Sequence, residues 1–315
     1  MPVEPAKSAP PTSAPDPTRA RVVIVRDPKC LQPGNGRNAR VLRRMLNEAV
    51  ARLLGRKTPL EAWKGLFTPK DRVAIKVDAR GHPTHPAVAE AVAECLIAAG
   101  VSPGNVIIWD RSTEDLRRAG YVIRTDPKKV RCAGTDAFRG RGTVAGYESR
   151  IVTSGAIGSR FSVIVSRFAT ALISVPVLKD HGLAGLAGGL LNLFVGAIHN
   201  PNKYQDNHWD PYVADLAMHP WIARKLRLVV VDATCGQYHG GPGKLGRCRW
   251  PMGGLLVGVD AVAVDAVSWR LLDRRRRSAG LKSLVADGRE PKYIATAAKR
   301  GLGTAEARRI EIVEL

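Results

Sequence analysis

RVAIKVDARGHPTHPAVAEAVAECLIAAGVSPGNVIIWDRST, running from Arg72 to Thr113, decides the fold class. Its two ends, Val73–Val77 and Val106–Trp109, are short apolar runs suited to buried strands. Between them Pro86 to Ala99 reads as a helix, with proline in its first turn and Gly100 after its end. Ser112 caps a further short helix, with Asp115 three residues on. Upstream, Val22–Val25 is a strand. Val41 to Leu54 repeats apolar residues at offsets of three and four, which marks an amphipathic helix. Downstream, Ala171–Val177, Leu226–Val231, Leu255–Val259 and Arg309–Val313 read as strands. Asp260 caps a helix over Ala261–Leu272, and Lys292–Lys299 is another helix. The alternation predicts an α/β fold with a mostly parallel sheet flanked by helices. In such folds chemistry sits at the strand ends. The turns there carry Asp78, Arg80, His82, Thr84, His85, Asp110 and Arg111.

Working outward, residues 1–20 are rich in Pro and Ala and read as a disordered tail, because they offer little surface to bury. Residues 21–315 read as a single α/β domain, with 21–165 and 166–315 as its alternative lobes. Residues 125–160, rich in Gly, Arg and Thr, predict loops and short strands. The net charge of +21 attracts polyanions, yet it is spread along the chain. The one tight run, Arg274 to Arg277, reads as the solvated last turn of a helix. The five cysteines are widely spaced, with no CxxC pair to suggest a metal knuckle or a redox motif. No apolar run is long enough for a membrane span, and no signal peptide is visible, so a cytoplasmic protein is expected.

The polar residues concentrate between Lys179 and Asp215. An apolar strand runs straight into Lys179, Asp180 and His181, followed by Gly182, Gly185, Gly188 and Gly189. Glycines there let backbone approach a ligand. A helix starting near Gly185 would aim free N–H groups at an anion, and Lys179 would join them. The competing reading is close helix packing through small residues. Asn192, Asn200, Lys203 and Tyr204 extend the ligand-binding candidates. His181, His199 and His208 in one segment point to a metal, although their spacing matches no helical zinc motif. The loop Gly240-Gly-Pro-Gly243 is placed to cover a pocket.

Several stretches resemble the domain-of-unknown-function family number 362. They are Pro176-Val-Leu-Lys-Asp-His-Gly-Leu-Ala-Gly, Asn200-Pro-Asn-Lys-Tyr, Val73-Ala-Ile-Lys-Val, Val106-Ile-Ile-Trp-Asp-Arg-Ser-Thr and Gly258-Val-Asp-Ala-Val-Ala-Val-Asp. The resemblance covers nearly all of Arg21 to Leu315. It implies no assigned reaction. Many relatives carry a twin-arginine export signal or a ferredoxin-type iron–sulfur module; this chain shows neither, so an iron–sulfur cluster is not expected. A more distant similarity is to the nickel-pincer lactate racemase, with His181, Gly188, Gly189 and Asn207-His208 at similar places. Where both families place a lysine that in the racemase holds the cofactor, this chain has Leu191.

Two readings follow. One is a metal-dependent enzyme acting on a small anionic molecule. His181, Lys179 and Asp180 would be its catalytic residues, with nickel, iron or zinc held by His181, His208 and His85. The other is a non-catalytic member binding a polyanion or small ligand. Nucleic acid is not favoured, because no nucleic-acid fold motif is present.

Overall fold

The computed structural model describes residue 16, residues 18–138 and residues 140–315; most of the expected tail, residues 1–15 and 17, lies outside them. The fold is α/β. Its strands are β1 (Ala20–Arg26), β2 (Val73–Val77), β3 (Val106–Asp110), β4 (Arg131–Gly134), β5 (Ala171–Val175), β6 (Val177–His181), β7 (Gly185–Leu186), β8 (Leu226–Gln237), β9 (Gly254–Gly258) and β10 (Ile310–Glu314). The main sheet runs β10-β1-β9-β8-β5-β2-β3-β4. From β8 to β4 every pairing is parallel. β9 is antiparallel to both β8 and β1, and β10 pairs parallel with β1. Strands from both 21–165 and 166–315 therefore share one sheet.

Alternation along the strands builds a core on each face. Val23, Val25, Ile75 and Ile108 face one side, where α1 (Ala39–Leu54), α2 (Pro59–Leu66) and α3 (Pro86–Ala98) bury Leu42, Trp63 and Val92. Val22, Ile24, Ala74 and Trp109 face the other. There α4 (Gly189–Ala197), α5 (Tyr212–Met218) and α6 (Ala261–Ser278) supply Phe194, Leu216 and Val264. The glycine, arginine and threonine-rich stretch holds two small hairpins, Thr143–Val144 with Tyr147–Glu148 and Val152–Ser154 with Ile157–Ser159.

Two elements depart from the sequence reading. The strand expected over Ala171–Val177 breaks at Pro176, and the chain resumes as β6, which runs through Lys179 to His181. The helix expected over Ala261–Leu272, with Arg274–Arg277 as its last turn, runs to Ser278. Arg276 in its last turn is not solvated: its guanidinium bonds Asp287 and the carbonyls of Tyr238 and Lys282.

Strand order fixes where a ligand can sit. The chain moves outward from β2 through β3 to β4, then returns to β5 on the opposite side of β2. The crevice between the carboxyl ends of β2 and β5 is thus a topological switch point, the usual ligand position in open α/β sheets.

Candidate functional site

A cavity of about 390 Å³ opens at this switch point. Its floor is Lys76, the one charged residue in the otherwise apolar β2. A lysine there is 1 % exposed and is tolerated because all three of its protons find acceptors. Nζ lies 2.9 Å from Asp110 Oδ1 and donates to Asn192 Oδ1 at 2.9 Å and to the Val77 carbonyl at 2.6 Å. Asp110 is equally occupied, accepting from the backbone of Ala79 and Arg111. Asn192 is oriented by donating to the Lys76 carbonyl and to Ser174 Oγ. Room for the lysine comes from Gly196 on α4, where a Cβ would lie 1.9 Å from Lys76 Cε.

The β2–α3 turn forms one wall. Asp78 pairs with Lys179 Nζ at 2.8 Å, and Lys179 also donates to the carbonyls of Arg80 and His82. Burial disfavours the Asp78 carboxylate, but the ammonium groups of Lys179 and Lys76 outweigh it and hold its pKa below the ordinary value. With its donors satisfied inside the protein, Lys179 fastens the turn and has none left for a ligand.

His181, at the end of β6, lines the cavity with Leu191, Val195, Trp209 and Pro242. Its Nδ1 accepts the backbone N–H groups of Leu183 and Ala184. A nitrogen receiving two donors carries no proton, so the neutral ring bears its hydrogen on Nε2. Burial, reinforced by the charge of Lys179, pushes the imidazole pKa down to about 4. The ring is therefore a neutral hydrogen-bond donor at physiological pH.

The other predicted residues are placed as follows. Asp180 is fully buried and accepts from the Gly241 backbone and Arg289, with no bond to His181. The helix expected near Gly185 starts at Gly189, and its N-terminus is already filled. Gly189 and Leu190 donate to the buried carboxylate of Asp265, at 2.6 and 3.2 Å. Burial raises the Asp265 pKa to about 7 against the pull of these donors. A Cβ on Gly188 would meet Asp265 at 2.5 Å, one on Gly189 would meet Val229 at 2.8 Å, and one on Gly185 would meet the Arg289 carbonyl at 1.9 Å. These glycines serve internal packing. Asn200 accepts from Ser159, and Tyr204 bonds the backbone of Gly158. Lys203 is exposed, with its ammonium over the Tyr204 ring.

The three proposed metal ligands do not converge. His208 Nδ1 meets the Leu183 carbonyl at 2.9 Å, outside the cavity lining. His85 caps α3 through Nδ1 and lines a different hollow. Its place is fixed by the His-Pro start of the helix. Among the described residues no group of three or more His, Cys, Asp or Glu side chains is arranged to hold a metal. A site built from His181, His208 and His85 therefore does not fit this geometry.

Sequence reasoning missed Lys76 and Gly196. The available signal was a lysine inside an otherwise apolar strand, which must be paired if it is buried.

A model of the family described as "Domain of unknown function (DUF362)" matches residues 73–270. The chain belongs to this family. The matched region of DUF362 takes in the whole switch-point site, from Lys76 to Gly243, while β1 and β10 lie beyond it. No curated protein and no solved structure matches the chain. No helix among the described residues is long and apolar enough to cross a membrane.

Proposed function

We propose that the switch-point cavity binds a small molecule bearing a carboxylate or carbonyl oxygen, and that His181 meets that oxygen as a neutral Nε2–H donor. The observation that carries this reading is His181 on the cavity wall, with Nδ1 taken by two backbone donors and its Nε2–H left over. The buried Lys76–Asp110 pair at the floor is a fixed dipole that needs no reorganising when a polar ligand enters. The charges support the sign: Lys76, Arg80 and Lys179 face or back the cavity against the two carboxylates Asp78 and Asp110. Arg80 keeps only a loose 3.7 Å contact with Asp115 and is free to reach inward. Leu191, Val195 and Trp209 give the ligand an apolar side.

The chemistry open to such a site is polarisation of an oxygen. His181 is a poor general base here, because protonating Nδ1 means giving up two backbone donors. Leu191 lines the cavity at the position where the family resemblance places a lysine. That favours reversible binding over a covalently held cofactor.

The test is calorimetric titration of the full chain with a panel of 2-oxo-, 2-hydroxy- and dicarboxylic acids. At least one should bind. His181→Ala and the cavity-filling Val195→Trp should each weaken it about tenfold or more, as loss of a buried hydrogen bond to a charged group does. The reading fails if no acid binds at millimolar concentration, or if Val195→Trp binds as well as the parent.

A further inference from the structure

Beyond the turn that walls the switch-point cavity lies a larger hollow, of about 790 Å³. It sits against the first turn of α3 and the outer part of β8, near Asp232 and Cys235. The two hollows share Arg80 and Gly81. Gly81 has φ +65°, and a Cβ there would fall 1.7 Å from the Pro242 carbonyl oxygen. The β2–α3 turn and the Gly240–Gly243 loop therefore touch and partition the space.

Five Lys and Arg side chains line this second chamber against three carboxylates, Glu90, Asp115 and Asp232. Arg37, Lys244 and Arg249 line it, and none has a carboxylate partner among the described ion pairs. The arginines are held in place by neutral groups. Arg37 donates through Nε to Thr234 Oγ1 and through Nη1 to the carbonyls of Asn35 and Gly36. Arg249 donates to Asn35 Oδ1 at 2.5 Å. Such anchoring limits the ordering cost of binding.

The carboxylates nearby offset this field only in part. Asp232 is held by neutral donors, the backbone N–H of His85 and the N–H and hydroxyl of Thr234, which orient it without cancelling its charge. Glu90 turns to Arg124 at 3.3 Å, and Asp115 is the loose partner of Arg80. The imidazoles add no charge. Burial lowers the pKa of both His82 and His85, whose Nε2 atoms face the carbonyls of Cys235 and Asn35.

Planar guanidinium groups beside an ammonium, with no acid of their own, suit a doubly charged oxyanion. The hollow is concave, matches the size of a cofactor-scale ligand, and has Pro83, Pro86 and Ala119 on its walls. An extended polyanion would need a continuous groove rather than a chamber of this kind. We propose that this chamber binds an organic phosphate. The phosphoryl group would lie against Arg37, Lys244 and Arg249, and the organic portion against the proline-lined wall. It is a site separate from the switch-point cavity and does not depend on what that cavity binds.

The experiment is titration of the full chain with inorganic phosphate, AMP, ribose 5-phosphate and pyridoxal 5′-phosphate, with a single-stranded oligonucleotide alongside. Lys244 is exposed and has no hydrogen bond or ion pair among the described residues, so Lys244→Gln should leave the fold intact; the double variant Lys244→Gln, Arg249→Gln removes two of the three cations. The expected result is one equivalent of at least one organic phosphate, bound more tightly than inorganic phosphate. It should be weakened about tenfold or more in the double variant, the scale of losing charge-assisted bonds. Val195→Trp, which fills the neighbouring cavity, should leave that affinity unchanged, so failure here is distinguishable from failure of the carboxylate site. The proposal is overturned by any of three outcomes: no organic phosphate binding more tightly than inorganic phosphate, equal affinity in Lys244→Gln and the double variant as in the parent, or binding of the oligonucleotide alone.

Discussion

Gly196→Ala tests the architecture of the switch-point site most directly, because two effects of opposite sign compete there. Gly196 lies in the last turn of α4 and has no positive φ, so alanine suits its backbone. Helix propensity alone would make the variant more stable, by up to about 1 kcal/mol. Against this, the new Cβ would sit 1.9 Å from Lys76 Cε and 2.7 Å from Cδ. The far end of a lysine ordinarily swings aside at little cost. This one is pinned by Asp110, Asn192 and the Val77 carbonyl, and moving it breaks those bonds. Displacing it leaves Asp110 buried beside a broken ion pair, which costs about 3–5 kcal/mol. The balance is a loss of about 2–4 kcal/mol once the helix gain is subtracted. Urea denaturation reads it as a lowered midpoint at unchanged slope. In a Lys76→Met background the clash persists, but the side chain is no longer tethered. The penalty of Gly196→Ala should then shrink by about 1 kcal/mol or more. A Gly196→Ala protein as stable as the parent, or more stable, would refute the account of Lys76 as a fixed cation.

Gly81→Ala should cost about 1–3 kcal/mol, because it combines a positive φ with a backbone contact that cannot yield; an unchanged urea midpoint would show that the partition between the chambers is soft. His181 should show no ring titration by NMR between about pH 5 and 8, and its neutral ring should carry the proton on Nε2; a titration near the ordinary value of 6.5 would remove it as a neutral donor. Between about pH 4 and 6.5 the unfolded chain takes up a proton at this histidine that the folded chain refuses, so its contribution to stability rises with pH, and His181→Gln should flatten that slope. Asp265 runs the other way. Its folded pKa of about 7 lies above the ordinary 3.8, so its contribution falls as pH rises through that window, and urea midpoints should show the parent losing ground to Asp265→Asn on going from low to neutral pH.

The parallel sheet and its flanking helices were legible because apolar runs and their Pro and Gly punctuation are local signals. Lys76 and Asp110 were both visible in strands, but their pairing was not. β2 and β3 align Lys76 with Trp109, which puts Asp110 one residue beyond, and that register is knowable only once the strands are known to be neighbours. Asn192 was picked out for its company of glycines, and it does line the cavity, as a partner of Lys76. The glycines themselves misled. Gly188 and Gly189 make room for Asp265, which lies 76 residues from Gly189 in the chain and carried no mark of its destination. His85 was legible in retrospect, since a histidine directly before a helix-starting proline is well placed to cap it.

The density of charge between Lys179 and His181 separates two meanings that sequence merges. Lys179 and Asp180 spend their bonds holding the 78–82 turn and the Gly241 loop, and Asp265 fills the helix end that seemed ready for an anion. Once these internal pairings are subtracted, the groups left facing the switch-point cavity with capacity to bind are His181 Nε2–H, Arg80 and the amides of Asn202 and Gln205. Neutral donors and one mobile cation over a fixed Lys76–Asp110 floor complement a compact ligand of low charge. The second chamber, with three cations that have no ion-pair partner among the described residues, complements a ligand of higher charge. Because the wall between them is a single turn clamped by Lys179, Lys179→Met should disturb both sites together, whereas His181→Ala should disturb only the first. A Lys179→Met protein that keeps its fold and both affinities would mean that the turn is held by something other than this clamp.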